Sequence, residues 1–169
     1  MRLRRWITWG AVHATLLLGV SSLDVQAAVA PAPVGKASAT GLRLWTDCVR
    51  LTNAARAGAG LAPLVVDVRV AAAAAGQSAY QAQQQTMSHV GAGGSNAGTR
   101  LQAQGYSWST WGENVAAGQG DCASVVGAWL ASPSHRANIL NRAYVNIGIG
   151  NVVGANGVHY WTMDLAAGS

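Results

Sequence analysis

Two cysteines, Cys48 and Cys122, restrict the fold of this chain most strongly, because a bond between them would join two distant segments. The bond would close a loop of about 75 residues, and the lost chain entropy would stabilise the folded state by roughly 4 to 5 kcal/mol. The alternative is a pair of buried free thiols. Which of the two holds depends on the compartment, since disulfides persist in oxidising environments and are rare in the cytosol.

Residues 1–27 have the order of regions that is typical of a cleavable secretion signal. Three arginines lie among the first five residues, a mostly apolar stretch extends to Leu23, and small residues surround Ala27. A membrane-spanning helix needs about 20 apolar residues, and polar residues such as His13 interrupt this stretch. We therefore expect cleavage near Ala27, a secreted or periplasmic protein, and no membrane span after cleavage. This location favours the disulfide over free thiols.

The part that follows the signal has eight basic and five acidic residues, a net charge of +3. The basic residues are scattered and form no stripe that could follow a phosphate backbone, so we expect no nucleic acid partner. Residues 28–41 are rich in Ala, Pro and Gly, a composition typical of a linker. The remaining residues, 42–169, are enough for one domain with its own core, and we expect a monomer.

Apolar spacing and capping residues predict helices in the first part of the domain and paired strands at its end. Helices are predicted from about residue 44 to Gly58, for 18 residues after the N-cap Asp67, and over 99–104, 122–131 and 133–140. A short strand is expected before Ala117, and 144–153 and 158–165 are predicted to form a hairpin. This order favours an α+β fold over alternating units.

Titratable side chains are few in the domain, which has one Glu, four Asp and three His. Glu113 lies in the segment Trp-Gly-Glu-Asn-Val-Ala, which we expect to be buried, and an uncompensated buried charge costs several kcal/mol. The candidate partners of Glu113 are His89, in the glycine-rich loop 86–98, and His135, close to Pro133.

Several short motifs occur in an order that resembles the CAP superfamily, the cysteine-rich secretory proteins, antigen 5 and pathogenesis-related proteins. They are Ser88-His89, 112–116 (GENVA), 129–140 (WLASPSHRANIL), 146–150 (NIGIG) and 160–162 (YWT). The resemblance extends from about Leu44 to Leu165 and is strongest to bacterial members. It implies a three-layer α-β-α sandwich, in agreement with the α+β order of the elements.

The resemblance also implies a central cleft with two histidines and two acidic residues, which binds zinc or another divalent cation in some members. His89 and His135 match the histidines and Glu113 matches the first acidic residue, and these three are also the candidate catalytic residues. The second acidic residue is absent. The resemblance implies a glutamate three positions after Trp129, and this chain has Ser132 there. Zinc accepts two histidines and one glutamate with an open position for water. The alternative is that both histidines hydrogen-bond Glu113 and tie the loop to the core without a metal.

Two functions are compatible with this cleft. The first is a secreted binding domain for an extracytoplasmic ligand, for which the resemblance implies a lipid, a sterol or a protein. The second is a metal-dependent hydrolase, with Glu113 as general base for a metal-bound water and a peptide or cell-envelope polymer as substrate. The absent second carboxylate favours binding.

Five tryptophans remain after cleavage, in a domain without phenylalanine, so most of them are expected in the core. Trp108 and Trp111 are expected to flank the cleft, and an exposed platform for a sugar ring or a lipid is the alternative there.

Overall fold

The computed structural model describes residues 39–169, with side chains from residue 46 onward. The predicted signal 1–27 and most of the predicted linker lie outside the described residues. The helices are α1 (Ala39–Gly58), α2 (Val68–Gln84), α3 (Ala97–Ala103), α4 (Cys122–Ala131) and α5 (Pro133–Ile139), and a short 3₁₀ turn covers Ala92–Gly94. The strands are β1 (Val65–Val66), β2 (Trp108–Ala117), β3 (Asn146–Val153) and β4 (His159–Gly168).

The four strands form one sheet in the order β1-β3-β4-β2. β1 is parallel to β3, whereas β4 is antiparallel to both β3 and β2. The larger apolar core lies between one face of this sheet and helices α1, α4 and α5. A smaller core lies on the opposite face, under α2 and α3. The three-layer α+β sandwich is confirmed.

Side chains alternate between the two faces along the central strand β4, as the pleat of a strand requires. Trp161, Met163 and Leu165 belong to the larger core. Thr162 faces α2, where its Oγ1 is hydrogen-bonded to Ser78 and Gln81. The face beneath α2 is therefore partly polar, and the candidate site lies on this face.

Close contact between α2 and the sheet depends on a glycine in β3. A Cβ at Gly148 would lie 2.3 Å from the backbone nitrogen of Ala71, far inside van der Waals contact. The missing side chain allows the α2 backbone to rest directly on the strand. This contact fixes how the polar side chains of α2 approach the site.

Cys48 of α1 and Cys122, the first residue of α4, form a disulfide with a Cα–Cα distance of 4.9 Å. Both residues are buried in the larger core. The predicted pairing is confirmed, and it joins two helices of the same layer.

Most helix boundaries agree with the prediction because they depend on local capping. The Asp67 side chain accepts hydrogen bonds from the backbone N–H of Arg69 and Val70 at the start of α2, and α4 has the predicted bounds.

Three differences from the predicted elements involve non-local contacts or composition. No strand is predicted at β1, which only its pairing with β3 defines. β2 is longer than expected, because it pairs with β4 along its length. α1 begins at Ala39, before the predicted start near residue 44, since a composition typical of a linker does not itself prevent a helix.

Candidate functional site

His89 lies on the loop between α2 and α3, and the residue before it is held by two glutamines of α2. Gln81 Oε1 accepts a hydrogen bond from the Ser88 backbone N–H at 3.1 Å. Gln77 Nε2 donates to the Ser88 carbonyl at 2.6 Å. Both glutamines are buried. The imidazole of His89 is 59% exposed, so an anchored backbone presents an accessible side chain.

Glu113 lies on β2 with a side chain that is only 3% exposed, and both of its oxygens are engaged. Its Oε1 is 2.7 Å from His89 Nδ1. Its Oε2 accepts a hydrogen bond from Arg100 Nη2. The buried carboxylate therefore has the partners that its burial requires, one predicted and one not.

Arg100, on α3, is one of two site residues that the sequence analysis did not identify. Its guanidinium is 11% exposed, and Nη1 also donates to the carbonyls of His89, at 3.3 Å, and Ser95, at 2.9 Å. It is the only basic residue between His89 and Glu113 in the sequence. That position, together with the need of a buried carboxylate for a cation, is the signal that could have identified it.

Asp164 is a second acidic residue beside Glu113, contributed by the neighbouring strand. The two residues are directly opposite in the β2–β4 register, and Asp164 is completely buried. Among the described residues, no donor reaches either Asp164 oxygen. Burial, and then the charge of Glu113, raise the pKa of Asp164 well above its ordinary value. Loss of the proton from Asp164 is therefore harder than from an exposed aspartate.

Asp164→Asn is expected to stabilise the domain increasingly as the pH rises. The folded pKa of Asp164 is raised, so its contribution to stability is complete below the unfolded pKa of about 4 and is lost as the pH rises through the folded pKa. Asn resembles the protonated acid at every pH. Between the unfolded and the folded pKa of Asp164, the free energy of unfolding of wild type should fall by about 1.4 kcal/mol per pH unit relative to that of the variant. Urea denaturation of both proteins from pH 4 to 8 measures this, and a pH-independent difference would contradict it.

His135 lies on α5, across β2 from the other groups, and its position is fixed through its backbone. Asn114 Nδ2 donates to the His135 carbonyl at 3.0 Å, and Asn138 Nδ2 donates to Asn114 Oδ1 at 2.8 Å. The His135 side chain has no hydrogen-bond partner among the described residues. Burial, and then the charge of nearby His89, lower the pKa of His135. The alternative without a metal has both histidines hydrogen-bonded to Glu113, and only His89 makes this contact through its imidazole.

These donors do not fit a divalent cation as they are arranged. Both Glu113 oxygens already accept hydrogen bonds, one of them from the permanently charged guanidinium of Arg100, which would repel a second cation. Within residues 46–169, no three His, Cys, Asp or Glu side chains are grouped so that they could hold one metal ion. The expected zinc site of His89, His135 and Glu113 therefore stays a prediction, and the structure gives it no support.

Two of the tryptophans whose side chains are described, Trp129 and Trp161, are buried, as expected. Trp108 and Trp111 are half-buried and pack edge to face, with ring centroids 6.2 Å apart. Gly98 of α3 lies directly against this pair. The two rings mainly attach α3 to β2. Arg100 lies on α3 and Glu113 lies on β2.

An α-β-α sandwich with a histidine over a buried glutamate defines a class of domain, and comparison with known proteins identifies it. The chain belongs to the cysteine-rich secretory protein (CAP) family, whose model matches residues 49–165. The resemblance that the sequence motifs indicated is confirmed.

Bacterial proteins are among its relatives. The uncharacterized protein YkwD of Bacillus subtilis is 36% identical over 104 residues, which cover 62% of this chain and 40% of YkwD. An extracellular SCP-domain protein from Bacillus anthracis has a TM-score of 0.67 at 27% identity, over 74% of this chain and 40% of that chain. An outer surface protein from Borrelia burgdorferi has the same fold, with a TM-score of 0.66 at 21% identity, over 72% of this chain and 90% of that one. The present chain thus spans less than half the length of the two Bacillus proteins.

Proposed function

We propose that this protein is a secreted CAP-domain protein whose cleft binds an amphipathic extracytoplasmic ligand through His89. The contact between His89 Nδ1 and Glu113 Oε1 is the observation that carries the proposal. This contact orients the imidazole through Nδ1 and leaves the other ring nitrogen, Nε2, accessible.

The protonation of the imidazole determines what kind of ligand group His89 can bind. A carboxylate oxygen can only accept a hydrogen bond, so the neutral His89 ring carries its proton on Nδ1, where Glu113 accepts it. Nε2 is then an acceptor with a free lone pair on the exposed side of the ring. The ligand group that meets Nε2 therefore has to be a donor, such as a hydroxyl or an N–H.

Apolar side chains next to His89 in the chain support a ligand with an apolar body. Met87 is 53% exposed and Val90 is 58% exposed. A contiguous apolar surface beside a polar group is typical of ligand sites. A donor group attached to an apolar body describes a sterol, a hydroxylated lipid, or an apolar protein segment with a hydroxyl side chain.

Three observations support secretion. The chain begins with a signal-like sequence, its two cysteines are paired, and similar structures come from extracellular or outer-surface proteins. No helix of the described part has the length and apolar character that crossing a bilayer requires.

Binding of a fluorescent sterol, a fatty alcohol and the matching fatty-acid methyl ester, which lacks a donor, tests the proposal. We expect the wild type to prefer the alcohol over the ester and His89→Ala to weaken alcohol binding about 5- to 10-fold, the value of one neutral hydrogen bond. Met87→Ser/Val90→Ser should weaken binding of both ligands. His159→Ala is the matched control, because His159 lies on β4 and contacts Asn151 instead of the site. Equal affinities of wild type and His89→Ala for every ligand would contradict the proposal.

Hydrolysis is the second candidate, and the same contact favours it. A histidine that is oriented by a buried carboxylate can act as general base for water through its free nitrogen. In this arrangement the exposed base is His89, whereas Glu113 is too buried to reach a substrate and orients the ring. Peptide and cell-envelope polymer substrates, assayed with EDTA present, should then be cleaved by wild type and not by His89→Ala. Turnover equal in the two proteins would leave the binding function as the better account.

A further inference from the structure

The contacts of Arg100 differ from those of an ordinary surface arginine. One nitrogen of the guanidinium is bonded to the Glu113 carboxylate, and another is bonded to the carbonyls of His89 and Ser95. The side chain thus neutralises the buried carboxylate and holds the loop that carries His89. In a metal-containing cleft, a cation performs both tasks, because it binds the carboxylate and fixes the histidine.

We infer that the Arg100 guanidinium takes the place of a divalent cation in this cleft, so that the site is organised without a metal. This inference goes beyond the proposed function, because it concerns what holds the site together and applies to either candidate activity.

The charges near Glu113 agree with this role. Glu113 and Arg100 form an ion pair in which one negative charge is matched by one positive charge. A divalent cation added at the same carboxylate would meet the guanidinium at close range, and the two positive charges would repel each other. Metal binding would therefore require Arg100 to leave a pocket in which its side chain is almost fully buried.

Removal of the guanidinium is expected to turn the site into a cation site. Without the guanidinium, both oxygens of the Glu113 carboxylate would lack a cationic partner, and His89 Nδ1 lies 2.7 Å from Oε1. Carboxylate oxygens and an imidazole nitrogen are ligands that zinc accepts, and water would complete the coordination shell. With Arg100 replaced by a neutral residue, the negative charge of Glu113 would attract the metal instead of the guanidinium.

Titration of the EDTA-treated protein with zinc chloride at neutral pH, followed by calorimetry, tests the inference. We expect no saturable uptake by wild type, and uptake of one zinc ion by Arg100→Gln with an affinity at least tenfold higher. Arg100→Lys, which keeps the charge, is the matched control and should behave like wild type. Arg100→Gln/His89→Ala and Arg100→Gln/Glu113→Gln should lose the zinc site that Arg100→Gln acquires.

Two results would overturn the inference. The first is stoichiometric zinc binding by wild type that both His89→Ala and Glu113→Gln abolish. The second is an Arg100→Gln protein that takes up no more zinc than wild type. If Arg100→Gln is unfolded without metal, its thermal melting with and without zinc replaces calorimetry. Zinc should then fold Arg100→Gln and leave the melting temperature of wild type unchanged. Failure of zinc to fold Arg100→Gln would also overturn the inference.

Discussion

Cys48→Ala/Cys122→Ala is expected to lower the free energy of unfolding by about 4.5 kcal/mol, because the disulfide closes a loop of about 75 residues. The bond connects α1 to the start of α4, so the loop includes α2, α3 and β2. A domain of this size has a total stability of about 5 to 15 kcal/mol. The double variant should therefore be partly unfolded or close to it.

Urea denaturation of the two proteins measures this loss. Wild type with excess reductant should fall to the stability of the double variant, whereas reductant should not affect the variant itself. A loss below about 1 kcal/mol would mean that the helices hold α1 and α4 together without the bond, and that the unfolded chain is already compact.

Arg100→Leu is expected to lower the free energy of unfolding by about 3 to 5 kcal/mol, because it leaves Glu113 buried without a cation. The side chains of this pair are 11% and 3% exposed. Arg100→Leu/Glu113→Leu should recover most of the loss, since replacing a buried ion pair by apolar groups is often close to neutral. Chemical denaturation of wild type, Arg100→Leu, Glu113→Leu and the double variant gives the coupling energy of the pair.

Arg50→Leu is the matched control for this cycle. Arg50 pairs with Asp47 at 3.6 Å, but both side chains are more than 60% exposed. Exposed pairs contribute about 0 to 1 kcal/mol, so this variant should retain nearly the stability of wild type. Equal losses in Arg50→Leu and Arg100→Leu would show that burial of the Glu113 pair is not what makes it strong.

The residues that the sequence could identify are those whose role is determined locally or by a motif. Asp67 caps α2 because its side chain reaches N–H groups two and three residues further along the chain. His89 and Glu113 lie in motifs that resemble a family, and they contact each other in the structure. The pairing of Cys48 and Cys122 could be predicted because the expected compartment favours disulfides, and the structure contains this bond. None of these predictions needed knowledge of which strands are neighbours.

Arg100 and Asp164 could not be identified in this way. Asp164 is part of the site only because the antiparallel register of β2 and β4 places it opposite Glu113, and a shift of one residue would turn it to the other face. Arg100 reaches Glu113 because the tryptophan pair attaches α3 to β2, which requires Gly98 to lack a side chain. The absent carboxylate at Ser132 led to the expectation of a site with a single acid. The second acid of the site comes instead from β4.

The glutamine contacts that hold Ser88 have a consequence for how fast and how selectively a ligand can bind. Hydrogen bonds fix the backbone of Ser88 and His89. Gln77 and Gln81 hold the Ser88 carbonyl and N–H, and Arg100 holds the His89 carbonyl. A flexible loop would have to become ordered when the ligand arrives, at a cost in binding affinity. Here that ordering is complete before binding, so the recognition loop is preorganised. Association should then follow a single step without a slow conformational phase, and Gln77→Ala/Gln81→Ala should make it slower and biphasic.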